Sequence, residues 1–134
     1  MTSPATVASY MRNARRTRAA ALLLLANNDT EGACNRAYYA MHDAAHAALW
    51  AADVEALGSV IKTHGGLASI FGQELVQTGK VSIEHGRALG HVQKTRLLAD
   101  YSADAPADID AQEAIALAEA FVEAMEGVLA VSKP

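Results

Sequence analysis

The stretch CNRAYYAMHDAAHAALW (residues 34–50) carries apolar and polar residues that both recur at helical spacing. Its alanines favour a helix and let neighbouring helices approach closely. One stripe is apolar and is made of Tyr38, Met41, Ala45 and Leu49. A second stripe steps by three or four residues through polar and aromatic side chains, namely Arg36, Tyr39, Asp43, His46 and Trp50. We therefore expect a helix that is buried on one side and faces a functional or paired surface on the other.

The segments on either side of this helix are predicted to be helices that pack against it. Ser3 is a candidate N-cap for the first helix, and Asp29 or Thr30 for the second. Gly79 is expected to end the third. The predicted helices cover residues 4–26, 30–52, 62–76, 82–101 and 109–131. Since no segment alternates with period two, the chain is predicted to be an all-α, up-and-down bundle of about five helices forming one domain, residues 1–134.

Composition limits the class of protein. At 134 residues and 51% apolar content, the chain is long enough for a hydrophobic core without disulfides, and Cys34 is its single cysteine. A buried, unreactive thiol is expected in such an alanine-rich helix. The apolar run 19–26 is shorter than the roughly 20 residues of a membrane span. We expect a cytoplasmic protein with no membrane association. Its net charge of −4 disfavours nucleic-acid binding by the average surface but allows a local basic cleft.

The common signatures of enzymes and metal sites are missing from the chain. It has no GxGxxG, GxxxxGK[ST] or GxSxG motif, and no HExxH or CxxC pair. His42 and His46 lie four residues apart on one helix and could chelate a metal together, but no further ligands are grouped near them in the sequence. The sequence therefore predicts neither a metal site nor a cofactor.

Basic residues are concentrated in two places. Arg12, Arg15 and Arg16 lie on one side of the first helix, as either a solvated face or a strip that binds phosphate or an acidic partner. Lys62, Thr63 and His64 precede two glycines at the predicted start of the third helix. Free backbone N–H groups and a lysine would suit an anion there, and ordinary capping by Thr63 is the alternative. Farther on, the spacing of Gly86 and Gly90 predicts close helix packing.

Two further groups of residues carry the chemistry of RNA cleavage. Arg36 and His42 could steady charge on a phosphate and move a proton, respectively. Because six positions separate them on one helix, they would share a site only if a second helix or subunit converged there, and His42 could instead be a packed residue. Arg96, Asp100 and Tyr101 end the fourth helix, where Arg96 and Asp100 have the spacing of an ion pair.

Four segments taken together resemble the HEPN-domain proteins, and in particular the small stand-alone group UPF0332. The segments are NRAYYAMHDAAHAAL (35–49), KTHGGLASIFGQELVQTGK (62–80), GRAL (86–89) and TRLLADY (95–101). The resemblance covers roughly residues 31–125. It implies a helical bundle that dimerises and a prokaryotic partnership with a minimal nucleotidyltransferase antitoxin. The HEPN protein is then the toxin, a metal-independent ribonuclease, and its partner can attach a nucleotide to a tyrosine.

Active HEPN ribonucleases carry an arginine, then a histidine after four to six residues, often with a tyrosine nearby. Arg96 matches the arginine and Tyr101 the tyrosine, whereas Asp100 stands close to where the histidine would be. His42 occupies a position where relatives usually carry an aromatic residue, and it would be a relocated proton carrier.

The resemblance and the residues together predict a toxin-like protein that acts on RNA or a nucleotide. The residues predicted to be catalytic are Arg96, Asp100, Tyr101 and His42. Those predicted to bind RNA or a nucleotide are Arg36, Tyr39, Lys62, Thr63 and His64. One alternative is a non-catalytic module that binds a nucleotide or the partner enzyme, which the missing histidine favours. Another is a bundle that only dimerises.

Overall fold

A computed structural model describes the backbone of residues 4–53, 64–101 and 104–132, and the side chains of residues 4–53, 66–100 and 104–130. Over these ranges the regular structure is helical throughout. The helices are α1 (Pro4–Ala26), α2 (Thr30–Ala51), α3 (His64–Phe71), α4 (Ile83–Tyr101) and α5 (Asp108–Ser132), and a π-helical turn (Gly72–Val76) continues α3. The prediction of an all-α bundle of about five helices is confirmed.

Helix α2 is the centre of the bundle and packs against α1, α3, α4 and α5. Its predicted apolar stripe is buried, with Tyr38, Met41, Ala45 and Leu49 no more than 1% exposed. Alanines fill much of the rest of its buried surface. Because an alanine leaves only a methyl group between two backbones, four helices can surround α2. None of the helices within the described ranges is both long enough and apolar enough to cross a membrane.

The ends of the helices follow local rules. The side chain of Asp29 caps α2, because its Oδ1 accepts a hydrogen bond from the backbone N–H of Gly32 at 2.8 Å. Of the two predicted caps, Asp29 is therefore the one used. The expectation of a continuous α-helix through residues 72–76 is wrong. The turn there is π-helical, and Gln77 N–H bonds the carbonyl of Gly72 at 2.9 Å, five residues back.

Gly86 and Gly90 have different surroundings on α4. A Cβ at position 86 would lie 3.1 Å from Cγ2 of Val76, so close packing is confirmed there. A Cβ at position 90 would meet no atom within 4 Å, so the expectation of close packing is wrong for Gly90. Gly79, which follows the π-helical turn, adopts φ = 80°, a left-handed conformation that favours glycine.

We predict opposite effects for alanine at two of these glycines. Gly79→Ala should lower the free energy of unfolding by roughly 1 kcal/mol, because an L-residue is strained at positive φ. Gly90→Ala is the matched control, and it should raise stability by roughly 0.5–1 kcal/mol because alanine is the better helix former and the site is open. Urea denaturation of both variants measures the difference. Equal effects at the two positions would contradict the assignment of strain to residue 79.

Candidate functional site

Two arginines from different helices meet at one tyrosine ring. The guanidinium carbon of Arg36 on α2 lies 5.2 Å from the centroid of the Tyr39 ring. That of Arg96 on α4 lies 5.7 Å from the same centroid and 5.1 Å from that of Tyr38. All three distances are within the range of cation–π attraction. We call the group Arg36, Tyr38, Tyr39, His42 and Arg96 the Tyr39 cluster.

The charge of Arg96 is compensated inside the protein. Its side chain is 11% exposed, and its Nη1 donates to Oδ2 of Asp100 at 2.9 Å. The predicted ion pair between these residues is therefore present. The Nε of Arg96 is buried and has no hydrogen-bond partner among the described residues. The Arg96 guanidinium packs against two rings and a carboxylate, and these contacts help to hold Tyr38 and Tyr39 in place.

Arg36 is held by neutral groups. Its Nε and Nη2 both donate to Oδ1 of Asn35, at 3.2 and 2.7 Å. No carboxylate of the described residues forms an ion pair with it. The side chain is half-buried, so its charge is partly desolvated. Arg36 thus presents an oriented cation that forms no ion pair within the described residues.

His42 lies against the same tyrosine pair. Its ring centroid is 5.7 Å from that of Tyr39 and 6.0 Å from that of Tyr38. Arg36 and His42 therefore both reach the Tyr39 ring, each from three residues away on α2. A second helix, α4, reaches the same ring through Arg96. A shared site for Arg36 and His42 stays a prediction. Nδ1 of His42 also lies 3.6 Å from Oδ1 of Asp43, and the His42 side chain is 22% exposed.

A stack of three rings extends from the Tyr39 cluster to α1. The rings of His42 and His46 are 4.4 Å apart, and those of His46 and Tyr10 are 5.2 Å apart and nearly parallel. Nδ1 of His46 lies 3.0 Å from the carbonyl oxygen of His42, which can only accept, so Nδ1 carries the proton. Sequence reasoning missed Tyr10, because its position depends on how α1 packs against α2.

Burial shifts the pKa of three groups on α2. It raises the pKa of Tyr38 to about 12, with the charge of Arg96 opposing the shift. It lowers the pKa of His46, an effect that the hydrogen bond to the His42 carbonyl partly offsets. It also raises the pKa of Cys34 to about 11, chiefly through desolvation. Cys34 is fully buried, which confirms the expected burial of this thiol.

A shallow depression of about 330 Å³ opens between α1 and α2. We call it the α1–α2 depression, and it is lined by Asn13, Arg16, Thr17, Ala20, Arg36 and Asp43. The three arginines predicted to lie on one side of α1 are all exposed but have different neighbours. Arg15 turns to α5, where its Nε lies 3.0 Å from Oε1 of Glu126, whereas Arg16 lines the depression and Arg12 is exposed. Asn13 and Thr17 lacked a sequence signal because only the packing of α1 on α2 makes them neighbours of Arg36.

The remaining predicted site residues are placed in part. Lys62 and Thr63 lie outside the described residues, so the predicted anion site at the start of α3 stays a prediction. The backbone places His64 at the first residue of α3 and Tyr101 at the last residue of α4. Their side chains are not among those described. Over the part of the chain that is described, His, Cys, Asp and Glu side chains form no group of three or more that could hold a metal.

We predict that His46 makes stability depend on pH. Because its pKa is lowered in the folded state, the unfolded chain binds a proton more readily between that lowered value and the ordinary 6.5. The free energy of unfolding should therefore fall as the pH decreases through this window. His46→Phe, which keeps an aromatic ring beside Tyr10, should weaken the dependence, and Tyr10→Phe should not. Melting temperatures between pH 7.5 and 5 measure it, and an unchanged dependence in His46→Phe would contradict the assignment.

Comparison with known proteins places the chain in a family. The model of the HEPN-domain family matches residues 7–128. A Methanocaldococcus jannaschii protein named "Putative toxin MJ0605" is 32% identical over 110 residues, which is 82% of this chain and 78% of that protein. A Thermotoga maritima protein named "UPF0332 protein" is 31% identical over 121 residues, 90% of this chain and 88% of its relative. The bundle and the match across almost all of the described residues show that the chain belongs to the HEPN-domain family, as a UPF0332-like protein.

Proposed function

We propose that this protein is the toxin-like component of a prokaryotic toxin–antitoxin pair and that it acts on RNA as a metal-independent ribonuclease. The observation that carries the proposal is the convergence of two arginines and a histidine on the Tyr39 ring. An arginine and a histidine at one site supply charge stabilisation and proton transfer, which cleavage of RNA requires. The name of the M. jannaschii relative supports the toxin-like role.

The proposed reaction is attack of a ribose 2′-oxygen on the neighbouring phosphorus. His42 takes the proton from the 2′-OH, the 2′-oxygen bonds to phosphorus, and the bond to the 5′-oxygen breaks. The leaving 5′-oxygen takes a proton from water or from protonated His42, so the products are a 2′,3′-cyclic phosphate and a 5′-OH. Arg36 stabilises the negative charge on the phosphate, because its guanidinium is oriented and unpaired with any described carboxylate.

Arg96 and Asp100 have a positioning role in this proposal. The guanidinium of Arg96 is almost completely buried, and Asp100 balances its charge, so Arg36 is the arginine better placed to meet a phosphate. Arg96 holds Tyr38 and Tyr39, and these rings orient Arg36 and His42. The predicted binding roles of Lys62, Thr63 and His64 belong to the same proposal, as further contacts to phosphate.

The proposed partners are a second copy of the chain and a minimal nucleotidyltransferase that acts as the antitoxin. The resemblance to the HEPN family suggests both. Leu98 on α4 is 72% exposed, and Ile109 at the start of α5 is 73% exposed. Two large exposed apolar side chains therefore lie within eight residues of Tyr101 in the sequence, on α4 and on the helix that follows it. A partner that covers them would remove this apolar surface from water. Tyr101 is the residue that we propose the antitoxin modifies.

A non-catalytic binding module is the second candidate. The compensated charge of Arg96 favours it, because a carboxylate replaces the family's histidine and neutralises the family's arginine. In that case the Tyr39 cluster would bind RNA, a nucleotide or the partner enzyme without cleaving anything.

Cleavage of tRNA in EDTA separates the two candidates. We expect the wild-type protein to generate cyclic-phosphate ends, and we expect His42→Gln to lower the rate by a factor of about 10²–10⁴, the usual contribution of general acid–base catalysis. Arg36→Gln should also be strongly impaired. Arg87→Gln is the matched control, since this arginine is exposed on α4 and should leave the rate unchanged.

The same assay contradicts the ribonuclease if the wild-type protein cleaves nothing while it still binds RNA. Retained cleavage in His42→Gln would likewise remove His42 from the mechanism. Thermal melting of each variant shows whether a loss of activity is only a loss of folding.

A further inference from the structure

The α1–α2 depression brings four kinds of polar group together. The side chains of its lining residues carry guanidinium, amide, hydroxyl and carboxylate groups, and these residues are Arg16, Arg36, Asn13, Thr17 and Asp43. No sequence pattern joins Arg16 and Arg36, because they lie on separate helices. Their convergence on one depression requires a ligand or a solvent shell that accepts hydrogen bonds from both.

The two arginines of the depression form no ion pair within the described residues, although Asp43 lines the same depression. The neighbouring Arg15 is paired with Glu126, and Arg96 is paired with Asp100. Neither Arg16 nor Arg36 forms an ion pair with any described residue. Asn35 fixes the Arg36 guanidinium with two hydrogen bonds, and three of its five N–H groups stay available for a ligand. The side chain is thus ordered before any ligand arrives, which lowers the entropic cost of binding.

Asp43 lowers the positive charge of the depression. Two arginines and one aspartate give the depression a net charge of +1. A phosphodiester carries a charge of about −1, whereas a terminal phosphate carries about −1.5 to −2 near neutral pH. Asp43 repels the second charge of a terminal phosphate while the two arginines attract it, so a phosphodiester leaves the depression neutral and a terminal phosphate leaves excess negative charge beside Asp43. The assignment to a strand over a free nucleotide rests on the RNA-directed function proposed above.

We propose that the α1–α2 depression binds one phosphodiester group of an RNA strand, with Arg16 and Arg36 as its ligands. This assignment deepens the RNA-directed function proposed above and rests on it. Asn13 and Thr17 supply further donors to the phosphate or the adjacent ribose. Asp43 connects the depression to His42, whose Nδ1 lies 3.6 Å from its Oδ1, so a strand held here passes beside the proposed proton carrier.

The test measures binding apart from cleavage. A fluorescent single-stranded RNA oligomer with 2′-O-methyl groups cannot undergo 2′-OH attack, and its anisotropy reports binding in EDTA. Arg16→Gln and Arg36→Gln should each weaken binding roughly tenfold, the usual effect of one lost charged hydrogen bond. Each should also reduce the slope of log K against log salt by about 1. Arg12→Gln is the matched control, because it removes the same charge from α1 outside the depression.

Competition between ligands tests whether the depression prefers a strand to a free nucleotide. AMP, ATP and inorganic phosphate should displace the labelled oligomer far less effectively than an unlabelled oligomer at the same phosphate concentration. Asp43→Asn should improve competition by AMP and ATP, because it removes the repelling carboxylate. Effective displacement of the oligomer by AMP from the wild-type protein would overturn the preference for a phosphodiester.

The outcomes separate this inference from the proposed ribonuclease. Equal weakening by Arg12→Gln and Arg16→Gln, with all variants folded, would overturn the inference, because binding would then be diffuse. If Arg16→Gln cleaves and binds RNA as well as the wild-type protein does, the inference is overturned while the proposed ribonuclease stands. Specific binding without any cleavage would support the inference and end the ribonuclease. A wild-type protein that binds no RNA would overturn both.

Discussion

Burial of α2 is the constraint on which the rest of the structure depends. Four helices surround it because one side of α2 is apolar and rich in alanine, and so admits close neighbours. The buried Tyr38 on that side lies next in sequence to the half-buried Tyr39. The burial that stabilises the bundle therefore also fixes the backbone that carries Arg36, Tyr39 and His42. A packed interior is a rigid support, and a site built on it keeps its geometry without a ligand.

Four of the arginines differ in whether a carboxylate pairs with them. Arg15 and Arg96 have carboxylate partners, one across to α5 and one along α4. Arg16 and Arg36 have no such partners among the described residues, and both face the α1–α2 depression. Arg16 is exposed, whereas Arg36 is half-buried, and a partly desolvated cation without an ion-pair partner costs free energy unless a group outside the chain compensates it. The protein is acidic overall, with a net charge of −4, so this cationic depression is a local feature of the surface.

The family comparison and the geometry bear on different questions. Family membership rests on a match that covers residues 7–128. It says nothing about which arginine meets a ligand in this chain. Arg96 matches the family's arginine, but its guanidinium is enclosed and paired with Asp100. Among the described residues, the Arg36 guanidinium contacts only the Asn35 amide and the Tyr39 ring, so it is the more accessible of the two to a ligand.

The sequence by itself determined the helices and the burial of α2, because helical periodicity, caps and glycine stops are local properties of the chain. It also determined the ion pair of Arg96 with Asp100, which one turn of helix brings together. Only the tertiary structure decided that Arg96 lies on Tyr38 and Tyr39, that Tyr10 stacks on His46, and that Arg16 shares a depression with Arg36. These contacts depend on the rotation and offset between helices, which the packing of many side chains sets together and no short pattern encodes.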